Sequence, residues 1–236
     1  MSDMQPLGVG ERAVVLLRPA SWEADRYRTV RRSLAHFDRE RWHVLAIASP
    51  SAREGKTTTA INLASALAEL PGASVLLVDA DFRCSAVARA LGMEPLPGHD
   101  LGEVASNGAL GLDDVVVRIP ELFPFAVAPT RSRTDEAHEI VESPRFAELL
   151  AAARRAYDYV VVDAPPIVPM ADCRALAPLC DGFLIVVRAH RTSHHLLGEA
   201  LSSLPPRQVL GLILNEADEP GWARSHRYYT HYGRPH

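Results

Sequence analysis

Six short runs, at 43–48, 75–79, 124–128, 159–163, 183–187 and 209–214, place apolar residues one after another with little polar alternation; "VLLV", "YVVV" and "FLIVV" are examples. A strand with one wet face alternates, whereas one covered on both faces does not. Helical patterns fall between the runs, at 56–70, 83–91, 143–155, 171–178 and 192–203, and an Arg-dense one from Trp22 to Phe37 precedes them. This alternation predicts an α/β fold: a mostly parallel central sheet with helices on both faces. A chain of 236 residues that is 47% hydrophobic can bury one sizeable core. Residues 1–21 read as a loosely attached arm with one short strand at "AVVLL", and 22–218 as the domain. The polar, Gly/Pro-interrupted 219–236 reads as a mobile tail. The stretch 92–120, with Gly, Pro and Asp in quantity, reads as short helices and loops.

Several functional classes are disfavoured. A formal charge of −4 is not that of a protein whose main partner is nucleic acid. No apolar run approaches the roughly 20 residues that cross a bilayer, and the first residues lack the basic and apolar regions of a secretory signal. Cys84, Cys173 and Cys180 have no C-x-x-C spacing, so they read as reduced thiols of a cytosolic protein. The ten histidines are scattered without metal-ligand spacing.

Lys56 is the only lysine in the chain; the other 24 residues of the Lys+Arg total are arginine. It lies in "REGKTTTA", after the apolar "HVLAIAS" and at the start of an Ala/Leu-rich helical pattern. A strand, a short loop and Gly-Lys-Thr opening a helix bind phosphate: free N–H groups and the positive end of the helix dipole face the anion. Gly55 allows close backbone approach, Lys56 reaches β- and γ-phosphates, and Thr57 offers a hydroxyl to Mg²⁺. A planar guanidinium does not fit where a compact ammonium must enter. The loop departs from G-x-x-x-x-G-K-[ST] at Pro50, where the template has glycine.

Two later runs end in acids. "SVLLVDAD" brings Asp79 and Asp81, and "YDYVVVDAPP" brings Asp163. Carboxylates at the carboxyl ends of parallel strands face the crevice where such folds bind ligands. Beside phosphates, Asp79, Asp163 and Thr57 are the candidates to hold Mg²⁺. A single strand-end Asp often does no more than cap a following helix; the ordered combination of three motifs carries the reading.

That combination resembles the cytoplasmic catalytic domain of bacterial tyrosine kinases, the autokinases of capsule and exopolysaccharide synthesis, over about residues 22–218. "REGKTT" resembles their Walker A motif, "VLLVDADFR" their second, A′ motif, and "YDYVVVDAPPIVPMADCRALAPLCDGFLIVVRAHRT" their Walker B strand with its downstream segment. The resemblance implies a P-loop NTPase-like fold that binds ATP and Mg²⁺. Glu54, Gly55, Lys56, Thr57 and Thr58 would contact the nucleotide, with Asn215 of "VLGLILNEAD" near the base. Lys56 would act on the transferring phosphoryl group, with Asp79 or Asp81 as proton acceptor. Upstream, Asp25, Arg28 and Arg31 of "DRYRTVRRSL" resemble an E-x-x-R-x-x-R ring-assembly helix, with Asp in place of Glu; on their own terms such arginines are also an ordinary solvated face. Tyr228, Tyr229 and Tyr232 resemble the tyrosine cluster that a neighbouring subunit phosphorylates; read alone, they are also an interaction tail.

The resemblance further implies a homo-oligomeric ring and recruitment to the inner face of the cytoplasmic membrane. An inner-membrane chain-length-determinant (co-polymerase) protein would activate the kinase, and a tyrosine phosphatase would oppose it. Where the family loop reads Pro-Gly-Glu-Gly-Lys, this chain has Ala52-Arg53-Glu54-Gly55-Lys56. That change keeps a nucleotide-binding pseudokinase or a plain ATPase open as alternatives. Cell-division and partitioning ATPases are similar around Asp163 but carry a lysine where this chain has Ser51, and rank below.

Overall fold

The computed structural model describes residues 10–35, 42–93, 98–131, 133–168 and 171–217. Six strands form one sheet: β1 (Val44–Ala48), β2 (Val75–Asp79), β3 (Ala126–Ala128), β4 (Tyr159–Asp163), β5 (Gly182–Arg188) and β6 (Val209–Asn215). Their order is β3-β2-β4-β1-β5-β6, and every pairing is parallel. The helices are α1 (Val14–Leu17), α2 (Trp22–Leu34), α3 (Lys56–Ala68), α4 (Val87–Ala90), α5 (Leu101–Ser106), α6 (Leu112–Val115), α7 (Ala137–Glu142), α8 (Pro144–Ala156), α9 (Asp172–Ala175) and α10 (His194–Ser202).

The unbroken apolar runs have the predicted cause. In β1, β2 and β4 every residue is buried, and alternate residues feed two separate cores. Val44, Ala46, Val78, Val160 and Val162 pack with Phe146, Leu149, Leu150 and Ala153 of α8. Leu45, Ile47, Leu77 and Val161 pack with Ile61, Leu63, Ala64 and Leu67 of α3 and Leu34 of α2. Edge strand β6 is less covered, and Leu212 and Leu214 are exposed. Local signals delimit the helices: Ser143 caps α8 by accepting from the Phe146 N–H at 3.1 Å, with Pro144 in the first turn.

Three expectations are corrected. "AVVLL" forms α1 rather than a strand, with Val14 and Val15 packed against Ala24 of α2 and Ala66 of α3. The described part of the arm is docked rather than loose: the buried Asn62 side chain of α3 accepts from Val15 N at 2.9 Å and donates to Arg12 O at 2.8 Å. The helix expected over 83–91 shrinks to Val87–Ala90, with strand-end acids taking the N–H groups before and at its start: Cys84 N donates to Asp81, and Ala86 N and Val87 N donate to Asp79. The tail, with Tyr228, Tyr229 and Tyr232, lies outside the described residues. Among those described, no helix is long and apolar enough to cross a membrane.

Candidate active site

The sheet's carboxyl edge gathers the site. β1 ends at Ala48 and runs through a tight loop into α3. Gly55 is the N-cap of α3 at φ 99°, a left-handed backbone that glycine adopts without strain. A Cβ there would stand 2.0 Å from Asn215 Nδ2, so any other residue would also have to displace the Asn215 amide. Gly55 offers no side chain to the first-turn N–H groups, and that turn carries no acid. The helix start is therefore left open to an anion.

Lys56 is 7% exposed. Its ammonium lies 3.7 Å from Asp81 Oδ2, an ion pair just past hydrogen-bond range. Thr57 Oγ1 donates to Asp163 Oδ2 at 2.6 Å. The β2–β4 ladder sets Asp79 directly opposite Asp163, so two acids stand side by side on neighbouring strands. Asp79 spends one oxygen on Ala86 N and Val87 N, both at 3.1 Å. The remaining oxygen of each acid, Asp79 Oδ1 and Asp163 Oδ1, is buried with no partner among the described residues.

Burial dominates the titration of these acids. It pushes Asp79 well above the ordinary carboxylate range, and the neighbouring Asp163 charge pushes further. Asp163 is raised to about 7 by burial, against the pull of Lys56 and the Thr57 hydrogen bond. Asp81 is raised by burial and pulled back chiefly by Lys56. Such shifts mark groups held out of water without full compensation.

The donor set fits a small divalent cation: two orphaned carboxylate oxygens and an adjacent hydroxyl. Among the described residues no three or more His, Cys, Asp and Glu side chains gather as a metal site. Mg²⁺ does not require that, since it takes one or two carboxylates and keeps waters or phosphates for the rest.

The other predicted residues are placed less simply. Glu54 is buried, and its Oε1 accepts from Ser51 Oγ at 3.0 Å and Thr192 Oγ1 at 2.8 Å. Asn215 donates from Nδ2 to Glu54 O at 2.9 Å, bracing the loop. Thr58 lines a cavity of about 350 Å³ with Arg12, Ile61 and Asn62. Asp25, Arg28 and Arg31 lie away from this edge. Arg28 grips both oxygens of Glu69 at 2.8 and 2.5 Å and meets Asp25 at 2.8 Å, while Arg31 reaches Ala66 O at 2.5 Å and Glu69 at 3.1 Å. The arginines thus fasten α2 to the end of α3.

Sequence reasoning missed Thr192, Arg188 and Asp172. Arg188 donates to Arg53 O at 3.3 Å. The buried Asp172 holds Arg83 at 2.6 Å, tying the segment after Asp81 to α9. Only the "RAHRT" at the end of β5 carried a signal, through its place at the same sheet edge.

Strand-end acids in register opposite an uncapped, lysine-bearing helix start place the chain among P-loop NTPase-like α/β proteins. Residues 43–204 match the AAA domain family. The chain is 30% identical over 184 residues to the tyrosine-protein kinase CpsD of Streptococcus pneumoniae serotype 4, covering 74% of this chain and 76% of the relative. It is 37% identical over 180 residues to the succinoglycan biosynthesis transport protein ExoP of Rhizobium meliloti, covering 74% of this chain but 22% of that protein's length. The solved BceF tyrosine kinase domain superposes with a TM-score of 0.73 at 26% identity, over 86% of this chain and 83% of that one. The chain belongs to the AAA domain family and, within it, to the bacterial tyrosine-protein kinases.

Proposed function

We propose that this protein is an ATP-dependent protein-tyrosine autokinase that phosphorylates Tyr228, Tyr229 and Tyr232 of a neighbouring copy and so regulates exopolysaccharide or capsule synthesis and export. The observation that carries this reading is the buried Lys56 beside Asp81, at a helix start faced by the Asp79–Asp163 pair. The names of the relatives support the acceptor and the pathway.

In this reading the N–H groups at the start of α3 and the loop 53–58 bind the nucleotide phosphates, and Asn215 lies towards the base. Thr57, Asp79 and Asp163 would hold Mg²⁺ directly or through water, and it would supply charge neutralisation on the phosphates. A tyrosine oxygen bonds to the γ-phosphorus as the bond from that phosphorus to the β–γ bridging oxygen breaks, ADP leaves, and the phenolic proton passes to Asp81 or Asp79. Lys56 has two tasks. Paired with Asp81 it keeps that carboxyl from rising further; turned to the phosphates it leaves Asp81 a stronger proton acceptor. Most of the rate comes from position and charge rather than covalent help.

The protein works in the cytoplasm, at the inner face of the membrane, recruited and activated by a polysaccharide co-polymerase protein and opposed by a tyrosine phosphatase. Assembly into a ring uses the α2 surface, where Asp25 is exposed; Arg28 and Arg31 serve a neighbour by sharing Glu69 or leaving it. Arg53, strained at φ 63° in the phosphate loop, favours a second reading, a nucleotide-binding regulator or ATPase of the same machinery.

Purified protein with ATP, Mg²⁺ and the membrane partner, assayed for phosphotyrosine and free phosphate, separates these. Wild type should label the tail tyrosines, and Lys56→Met should lower labelling by about 10²–10³-fold, the loss of one charge-stabilising donor. Free phosphate without phosphotyrosine makes the protein an ATPase. Bound nucleotide with neither product makes it a regulator.

A further inference from the structure

The phosphate loop is held from outside. Its Glu54 is 4% exposed, a carboxyl group buried within the loop. Oε1 takes two hydroxyl donors, Ser51 from within the loop and Thr192 from beyond β5, while Oε2 is buried with no partner. The Thr192 hydroxyl is used in both directions: it donates to Glu54 and accepts from Arg188 N at 3.0 Å, so one atom ties the end of β5 to the loop. Arg188 adds its bond to Arg53 O, and Asn215 its bond to Glu54 O. These ties hold Arg53 at a left-handed φ of 63°, which a non-glycine residue does not keep unaided.

We infer that Thr192 is a positioning residue for the nucleotide phosphates: through Glu54 it holds the loop in the shape that presents its N–H groups and Lys56. The inference rests on the nucleotide-binding reading and extends it to a residue 136 positions from Lys56 in the chain (192 − 56). Preorganised donors are worth more than donors that must be ordered on binding, so the latch acts on affinity more than on the transfer step.

The test compares Thr192→Val, which keeps shape and loses the hydroxyl, with Thr192→Ser, which keeps it. In nucleotide-free protein, amide hydrogen exchange over residues 51–56 should be faster in Thr192→Val and near wild type in Thr192→Ser. The Kd for Mg·ADP should rise about tenfold in Thr192→Val and be restored by serine, with KM for ATP tracking Kd and kcat changing less. The effect should vanish in a Glu54→Ala background. If Thr192→Val exchanges and binds like wild type, if serine is as impaired as valine, or if the loss persists without Glu54, the inference is overturned. Should Thr192→Val not fold, Thr192→Ala in the same cycle decides by the same criteria. Failure of wild type to bind Mg·ADP would instead remove the function reading beneath it.

Discussion

The chain has two charged constellations on the same helix, and they are built on opposite plans. At the end of α3, Arg28, Arg31, Asp25 and Glu69 satisfy one another: both Glu69 oxygens are bonded, and burial is partial. At its start, Lys56, Asp79, Asp81 and Asp163 are buried, and two carboxylate oxygens have no partner among the described residues. A satisfied network contributes modest stability. An unsatisfied one costs stability and is kept where a ligand completes it. The contrast separates a clasp at one end of α3 from the candidate site proposed at the other.

The largest expected effect breaks the open end. Asp163→Asn should lower Mg²⁺-dependent phosphotyrosine formation by about 10²-fold or more. The same change should raise the melting temperature of metal-free protein at pH 8, because it removes a charge that burial disfavours; each kcal/mol relieved is worth roughly 2–4 °C at this size. A calorimetric scan in EDTA checks it, and a fall in melting temperature would make Asp163 part of the clasp class.

The pH dependence sharpens the same point. Asp163 titrates at about 7 in the folded protein and near 3.9 when unfolded. Between those values the folded state holds a proton that the unfolded state has released, so this group's contribution worsens as pH rises from about 4 to about 7 and is fully unfavourable above. Metal-free wild type should gain stability from pH 8 down to pH 6 relative to Asp163→Asn, measured by urea denaturation at both values.

At the closed end, Arg28→Ala should cost about 1 kcal/mol, less at high salt, with little change in nucleotide affinity. If light scattering also shows a smaller oligomer, the clasp has a second role between subunits. The smallest effect is Arg53→Gly: relief of about 1–2 kcal/mol of left-handed strain, offset by about 0.5–1 of glycine entropy. The net change in unfolding free energy should be a stabilisation of about 0.5 kcal/mol.

Much of the fold was legible because burial on both faces writes itself into consecutive residues. The runs at 75–79 and 159–163 coincide with β2 and β4, and those at 43–48 and 183–187 differ from β1 and β5 by a residue or so. Motif spacing also located the acids that the β2–β4 ladder brings together. Partnerships made by the tertiary fold left no local trace. Nothing near Arg28 announces Glu69, 41 residues away, and nothing near Glu54 announces Thr192, 138 away. Periodicity cannot separate a four-residue helix from a strand either, which is why "AVVLL" misled.

The pairing of Asp79 with Asp163 is a rung of the β2–β4 ladder, not an added device. Sliding one of those strands by a single residue would turn its acid to the opposite side of the sheet. On the function proposed above, a chain assembled out of step would lose the carboxylate pair altogether rather than hold it in a weakened form. On that reading, chemical competence doubles as a mark of correct assembly, because the two acids meet only when their strands are in step.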